Sequence, residues 1–181
     1  MTIQIIKNFI AKQEADPIVY FINEYLTRFT YNAERGRWVL RFGYDDEFPG
    51  QSLSEISMAQ EIRNQLLDIF NKTAKVFEEE VFLTSWFLSK QHSGGKLRPH
   101  KDSLAGQFND QLEYTAMLYL NTLDDNGDIV FPDAGFAITP ELGDLVIFKS
   151  KEDAHFVSEI MEDRYALPMW FTKDKAFEFV P

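Results

Sequence analysis

The feature that most constrains the fold is the texture of the chain from about residue 81 onward. Val81–Ser89, Tyr114–Leu120, Asp128–Phe131, Asp144–Phe148 and Arg164–Phe171 are short segments rich in β-branched and aromatic residues, parted by Gly, Asn, Asp and Pro. Branched and aromatic side chains fit a pleated surface and the intervening residues fit tight turns, so these segments read as strands. Ile3–Ile6 and Trp38–Phe42 read as two more. Two helical stretches precede the main run. Asp16-Pro17 has the form of an N-cap with Pro at the first helical position, opening a helix through about Arg28 with Val19, Ile22 and Leu26 on one face. Ser57 with Gln60 resembles a capping box, and the helix behind it carries Ile62, Leu66, Ile69, Phe70, Ala74 and Phe77 at helical spacing. The expectation is an α+β chain, mainly β: a compact sandwich or barrel propped by helices on one side. The mouth of such a barrel suits a small-ligand site.

Composition narrows the function classes. The 181 residues are the length of one domain, and 45% hydrophobic residues with 17 Phe supply a proper core. Net charge is −11 and the Lys and Arg residues are scattered singly, with no basic stripe to neutralise a phosphate backbone. Nucleic acid is therefore not the expected partner. The absence of Cys removes disulfides, thiolate metal sites and a Cys nucleophile together, and fits a reducing compartment. The N-terminal residues lack the pattern of a secretory signal, and no run approaches the roughly 18 apolar residues of a membrane span. The expectation is a soluble, cytoplasmic protein.

Three histidines are present: His92, His100 and His155. In the extended run Arg98-Pro99-His100-Lys101-Asp102, residues two apart point the same way, so His100 and Asp102 present an imidazole and a carboxylate to one point. His155, just past the strand at Asp144–Phe148, closes the group from another strand. Two His and one carboxylate on one side of a metal leave positions open opposite, the arrangement of non-haem Fe(II) oxygenases. Arg164 opens the last strand, where alternation puts it on one face with Ala166, Pro168 and Trp170. A guanidinium on the inward face of an apolar strand is costly unless it meets an anion, and its fork fits a carboxylate best. Tyr119, on the face shared with Thr115 and Met117, is placed to give that carboxylate a phenolic hydrogen bond.

With these residues in view, the chain resembles the 2-oxoglutarate/Fe(II)-dependent dioxygenase superfamily, and more narrowly its prolyl 4-hydroxylase-like branch. The resemblance rests on a Gly-Gly loop leading to Pro-His-x-Asp (SGGKLRPHKD), a strand ending Tyr-Leu-Asn (YTAMLYLN), a Gly turn into Phe-Pro (NGDIVFPDAG), Pro-x-x-Gly-Asp before an apolar strand (PELGDLVIF), and His155 with Arg164 in HFVSEIMEDRYALPMWF. It spans roughly residues 81 to 172 and implies a double-stranded β-helix (jelly-roll) core supported by N-terminal helices. Residues 1–181 then form one domain, with 1–80 as supporting helices and strands and 81–172 as the catalytic core. It implies His100, Asp102 and His155 as iron ligands and Arg164 as the grip on the distal carboxylate of 2-oxoglutarate. Tyr119 and the residues around it, Thr115 and Met117, would join the cosubstrate site. Fe(II), 2-oxoglutarate and O2 are the implied cofactors, with ascorbate as an accessory reductant. Two positions depart from the pattern. Gln91, with His92 beside it, stands where many relatives carry a Tyr touching the cosubstrate, and Pro168 stands where oxygen-sensing prolyl hydroxylases carry a Thr. A proline there removes a ladder donor, so the last strand should be irregular at that point.

His92 reads as a polar loop histidine, Trp86, Phe87, Trp170 and Phe171 as packing, and Asp124-Asp125-Asn126-Gly127 as a solvated turn. Three function classes follow: hydroxylation of a prolyl residue in a peptide or protein, the same chemistry on a free amino acid or other small metabolite, and a cupin-like metal binder without turnover.

Overall fold

The computed structural model describes residues 3–43, 60–106, 109–124 and 126–179. Its frame is a pair of antiparallel sheets. The strands are β1 (Gln4–Ile6), β2 (Thr30–Asn32), β3 (Arg37–Gly43), β4 (Phe82–Gln91), β5 (Leu97–His100), β6 (Tyr114–Tyr119), β7 (Ile129–Phe131), β8 (Phe136–Ile138), β9 (Leu145–Lys149), β10 (His155–Val157) and β11 (Arg164–Thr172). A seven-stranded sheet runs β1-β9-β6-β11-β4-β3-β2 and a four-stranded one runs β5-β10-β7-β8. This is the double-stranded β-helix architecture. Three strands from before residue 81 extend the larger sheet, β1 on one edge and the β2–β3 hairpin on the other.

Alternation gives the larger sheet two different faces. Leu118 and Ala116 of β6, Leu145 and Ile147 of β9, and Leu167, Met169 and Phe171 of β11 join one apolar cluster with α1 (Lys12–Glu24) and α2 (Gln60–Ala74). The helices contribute Ile18, Phe21 and Ile22, and Leu66, Ile69 and Phe70. The intervening residues point to the smaller sheet, where Val146 and Phe148 meet Ile129, Phe131 and Ile138. Strands covered on both sides carry near-continuous apolar runs, which is why these segments stand out in the sequence.

Helix α1 starts earlier than Asp16-Pro17 suggests. Its N-cap is Ala11, the Ala11 N–H donates to the Glu14 carboxylate at 2.8 Å, and Pro17 lies inside the helix. The carbonyl that Pro17 leaves without a donor belongs to Gln13, which is exposed, so the missing bond is not buried in the core. The helix ends at Glu24 and a short 3-10 turn, Leu26–Arg28, completes the stretch. Its buried face is Ala15, Ile18, Phe21 and Ile22, with Val19 and Leu26 half-buried at its margin. The capping residue read at Ser57 lies outside the described residues. Phe77 is buried as expected but sits past the end of α2.

Pro168 does not disturb β11 where the sequence suggests. The register with β4 is the same on either side, Ala166 opposite Ser89 and Met169 opposite Trp86, and the shift falls between Trp170 and Phe171. A tight turn before β9 fixes the opposite edge. Gly143 has φ +83°, and a Cβ there would stand 2.2 Å from the Ile10 carbonyl oxygen. Its own carbonyl accepts from Phe9 N–H at 2.7 Å, tying the segment before α1 to β9.

Candidate active site

β5 and β10 pair so that His100 lies directly opposite His155. Their rings are 4.3 Å apart between centroids, and Asp102 follows β5 beneath them. The ligand atoms of His100, Asp102 and His155 all fall within 4.8 Å of one another, the one such group among the described residues. Asp102 Oδ1 is 3.4 Å from His100 Nε2 and 3.9 Å from His155 Nε2. Each imidazole turns its other nitrogen to a backbone carbonyl, His100 Nδ1 to Arg98 at 2.9 Å and His155 Nδ1 to Asp153 at 3.3 Å. Those bonds hold the proton on Nδ1 and aim both Nε2 lone pairs at the carboxylate.

Burial pushes the His155 pKa down, against the pull of Asp102, so the ring is neutral and ready to donate its lone pair. Burial works to raise the Asp102 pKa, yet the neighbouring imidazoles and the Thr115 hydroxyl outweigh it and hold the carboxyl well below its usual range. Thr115 donates to Asp102 Oδ2 at 2.7 Å and shares a hydrogen bond with Ser150 at 2.9 Å. Asn109 donates to the Asp102 carbonyl, and Ser103 N–H reaches the Ser150 carbonyl at 3.1 Å, so the loop after β5 is pinned. His155 also packs on Phe148, 4.5 Å between ring centres. Two imidazoles and one ionised carboxylate, converging from one side with one oxygen already spoken for, suit a divalent first-row metal such as iron.

At the other end of the same cavity, Arg164 is 3% exposed. Its Nη1 donates to Gln91 Oε1 at 3.3 Å and its Nη2 to Tyr119 Oη at 3.4 Å, while Nε has no acceptor. Burial raises the Tyr119 pKa, with Arg164 opposing, so the phenol keeps its proton. The structure thus brings His100, Asp102, His155, Arg164 and Met117 to one cavity. Tyr119 and Gln91 stand behind Arg164 and hold it, and Thr115 turns to Asp102. His92 takes no part: it accepts from Trp38 Nε1 at 2.7 Å and contacts Asp163 at 3.0 Å. Sequence reasoning missed Arg35, Arg37 and Arg41, which line the cavity from the β2–β3 side, and it assigned Phe87 and Trp170 to packing although both line the cavity too. The alternation of Arg35, Arg37 and Arg41 around β3 was the available signal.

Residues 85–172, which contain both imidazoles, the carboxylate and Arg164, match the model of the 2OG-Fe(II) oxygenase superfamily. This segment belongs to that superfamily. Among curated proteins no sequence matches the chain. Solved structures share the fold of this chain at low identity. A viral collagen prolyl hydroxylase from Paramecium Bursaria Chlorella virus-1, in its 2OG complex, superposes with a TM-score of 0.68 at 15% identity, over 94% of this chain and 96% of that one. A Pseudomonas putida prolyl-4-hydroxylase gives 0.65 at 20% identity, over 95% and 92%. A prolyl hydroxylase from Trichoplax adhaerens, in complex with a hypoxia inducible factor oxygen degradation domain peptide fragment, gives 0.65 at 19%, over 96% and 84%. The superfamily uses Fe(II), 2-oxoglutarate and O2, and the donor set of His100, Asp102 and His155 fits that metal.

Proposed function

We propose that the chain is an Fe(II)- and 2-oxoglutarate-dependent dioxygenase that hydroxylates an unactivated C–H of a prolyl residue in a peptide or protein, with release of succinate and CO2. The observation that carries this reading is the placement of a two-imidazole, one-carboxylate group and a buried, half-satisfied guanidinium on one cavity. His100, Asp102 and His155 would hold the iron, and Arg164, steadied by Gln91 and Tyr119, would hold the distal carboxylate of the cosubstrate. The bound metal and cosubstrate supply O2 activation and the oxidising power for C–H cleavage. The chain supplies the rest. Thr115 and Ser150 keep Asp102 ionised and oriented, the backbone carbonyls of Arg98 and Asp153 fix the two imidazole tautomers, and Phe148 and Phe131 keep water from the buried side of His155.

Support for a prolyl substrate comes from the shared fold of proteins named as prolyl hydroxylases, one of them bound to a peptide fragment. Ascorbate would serve as an accessory reductant. A second reading, the same chemistry on a free amino acid or other small metabolite, is favoured by the unpaired buried charge of Arg37 on the same cavity. The test is succinate release by the Fe(II)-loaded protein with 2-oxoglutarate, against Pro-containing peptides and free amino acids, with the oxygen-bearing product read by mass. A cupin-like binder without turnover would release none.

A further inference from the structure

Arg37 is the one buried cation in the cavity that the proposed reaction does not use. It is 7% exposed, its Nε has no hydrogen-bond partner, and its guanidinium rests over the Phe87 ring at 4.8 Å. No carboxylate among the described residues pairs with it. Burial, followed by the neighbouring charges of Arg35, Arg41 and Arg164, pushes its pKa down to about 9, which still leaves it charged at neutral pH. A buried cation facing like charges is costly, and buried donors without acceptors are rare in native proteins. Trp170, whose ring packs tilted against Phe87 at 5.1 Å, adds a second buried N–H without an acceptor on the same wall. Such a cluster is completed by an anion from outside the chain.

That anion is not the one Arg164 would hold. In the sheet Gln91 lies between the two arginines, opposite Arg37 on one side and opposite Arg164 on the other. Two strand spacings place their backbones about 10 Å apart. Both ends of the Gln91 amide are engaged, Oε1 by Arg164 and Nε2 by the Arg35 carbonyl, so it forms a partition. The Arg37 guanidinium extends over Phe87, four residues along β4 from Gln91.

We propose that the cavity contains a second anion site, built on Arg37 above Phe87, that takes a carboxylate belonging to the molecule being oxidised. The inference rests on the proposed oxygenase reading and names the substrate class: a compound bearing a carboxylate close to the C–H attacked. That carboxylate is supplied either by a free acid or by an acidic side chain in a peptide.

Binding to protein loaded with Mn(II) and 2-oxoglutarate without O2 tests this, because Mn(II) broadens the NMR signals of any molecule held near it. One arm uses N-acetyl amino acids against their amides; the other uses end-blocked hexapeptides with an acidic residue against their amide counterparts. Acids should be broadened and amides not, and the arm that responds identifies the source of the carboxylate. Arg37→Gln should weaken acid binding roughly thirtyfold, with Arg37→Lys restoring part of it, while 2-oxoglutarate affinity by calorimetry changes less than about twofold. The Tm of ligand-free Arg37→Gln should be unchanged or higher, since the substitution removes an unpaired buried charge. Amides broadened as strongly as acids, or no acid broadened in either arm, overturn the proposal. So does an Arg37→Gln variant that loses 2-oxoglutarate affinity as Arg164→Gln does, or one that melts markedly lower. Failure of the wild type to bind 2-oxoglutarate is read separately in the calorimeter and brings down the oxygenase reading itself.

Discussion

The two faces of the larger sheet are built from the same strands yet obey opposite rules. On the helix side the contributors are mainly apolar and closely packed: Ile18, Leu66, Leu118, Leu145 and Leu167 are each 0% exposed. On the side facing the smaller sheet, neighbouring strands carry Arg37, Gln91, Thr115, Tyr119 and Arg164, all buried, with an unspent donor on Arg37 and another on Arg164. The first face lowers the free energy of folding. The second raises it and makes a cavity whose polar groups are satisfied only by ligands. Strain is thus concentrated where function is, and stability is supplied one side chain away on the same strand.

Substitutions that separate the faces sharpen the contrast. The largest effect is expected from Asp102→Ala, which should abolish stoichiometric metal binding and with it all succinate release, read by metal analysis and product assay. Retained coupled turnover would remove Asp102 from the metal site. Leu66→Ala on the helix side should cost about 2–5 kcal/mol of stability in denaturant unfolding and leave the 2-oxoglutarate KM of the surviving protein unchanged. A shift in that KM would mean that the faces are not independent. Arg164→Gln should do the reverse: a 2-oxoglutarate KM raised roughly thirtyfold or more, with a small change in melting. Thr115→Val, which removes the hydroxyl from Asp102 and keeps the shape, should weaken metal affinity by about 10–100-fold.

The smallest expected effect is on pH dependence. The folded-state pKa of His155 lies below its unfolded value, so below about pH 6.5 the unfolded chain takes up a proton that the folded chain refuses. Metal-free protein should therefore lose stability as pH falls through that range, and His155→Asn should flatten this part of the curve. An unchanged slope would show that burial of His155 does not keep it neutral.

Parts of the site were legible early because they lie close in sequence or in one strand. His100 and Asp102 are two apart in an extended run, and Arg164 breaks an otherwise apolar strand. The long strands β4, β6, β9 and β11 announce themselves by composition. The strands β8 and β10 have three residues each and β5 four, too few to show a period, and they exist because the opposite sheet covers them. Asp16-Pro17 has a capping pattern but lies inside α1, whose start is fixed by Glu14 reaching back to Ala11.

The sequence by itself determined the chemistry available to this protein: which residues can ligate a metal, which can grip a carboxylate, and which faces of which strands must be buried. Tertiary structure alone decided how those groups meet. Strand pairing sets His155 against His100 and puts Gln91 between Arg37 and Arg164, five residues from five different strands. Side-chain alternation is a local property that any strand carries with it. Which strand lies beside which follows from packing two sheets and two helices into one core, and no local pattern encodes that choice.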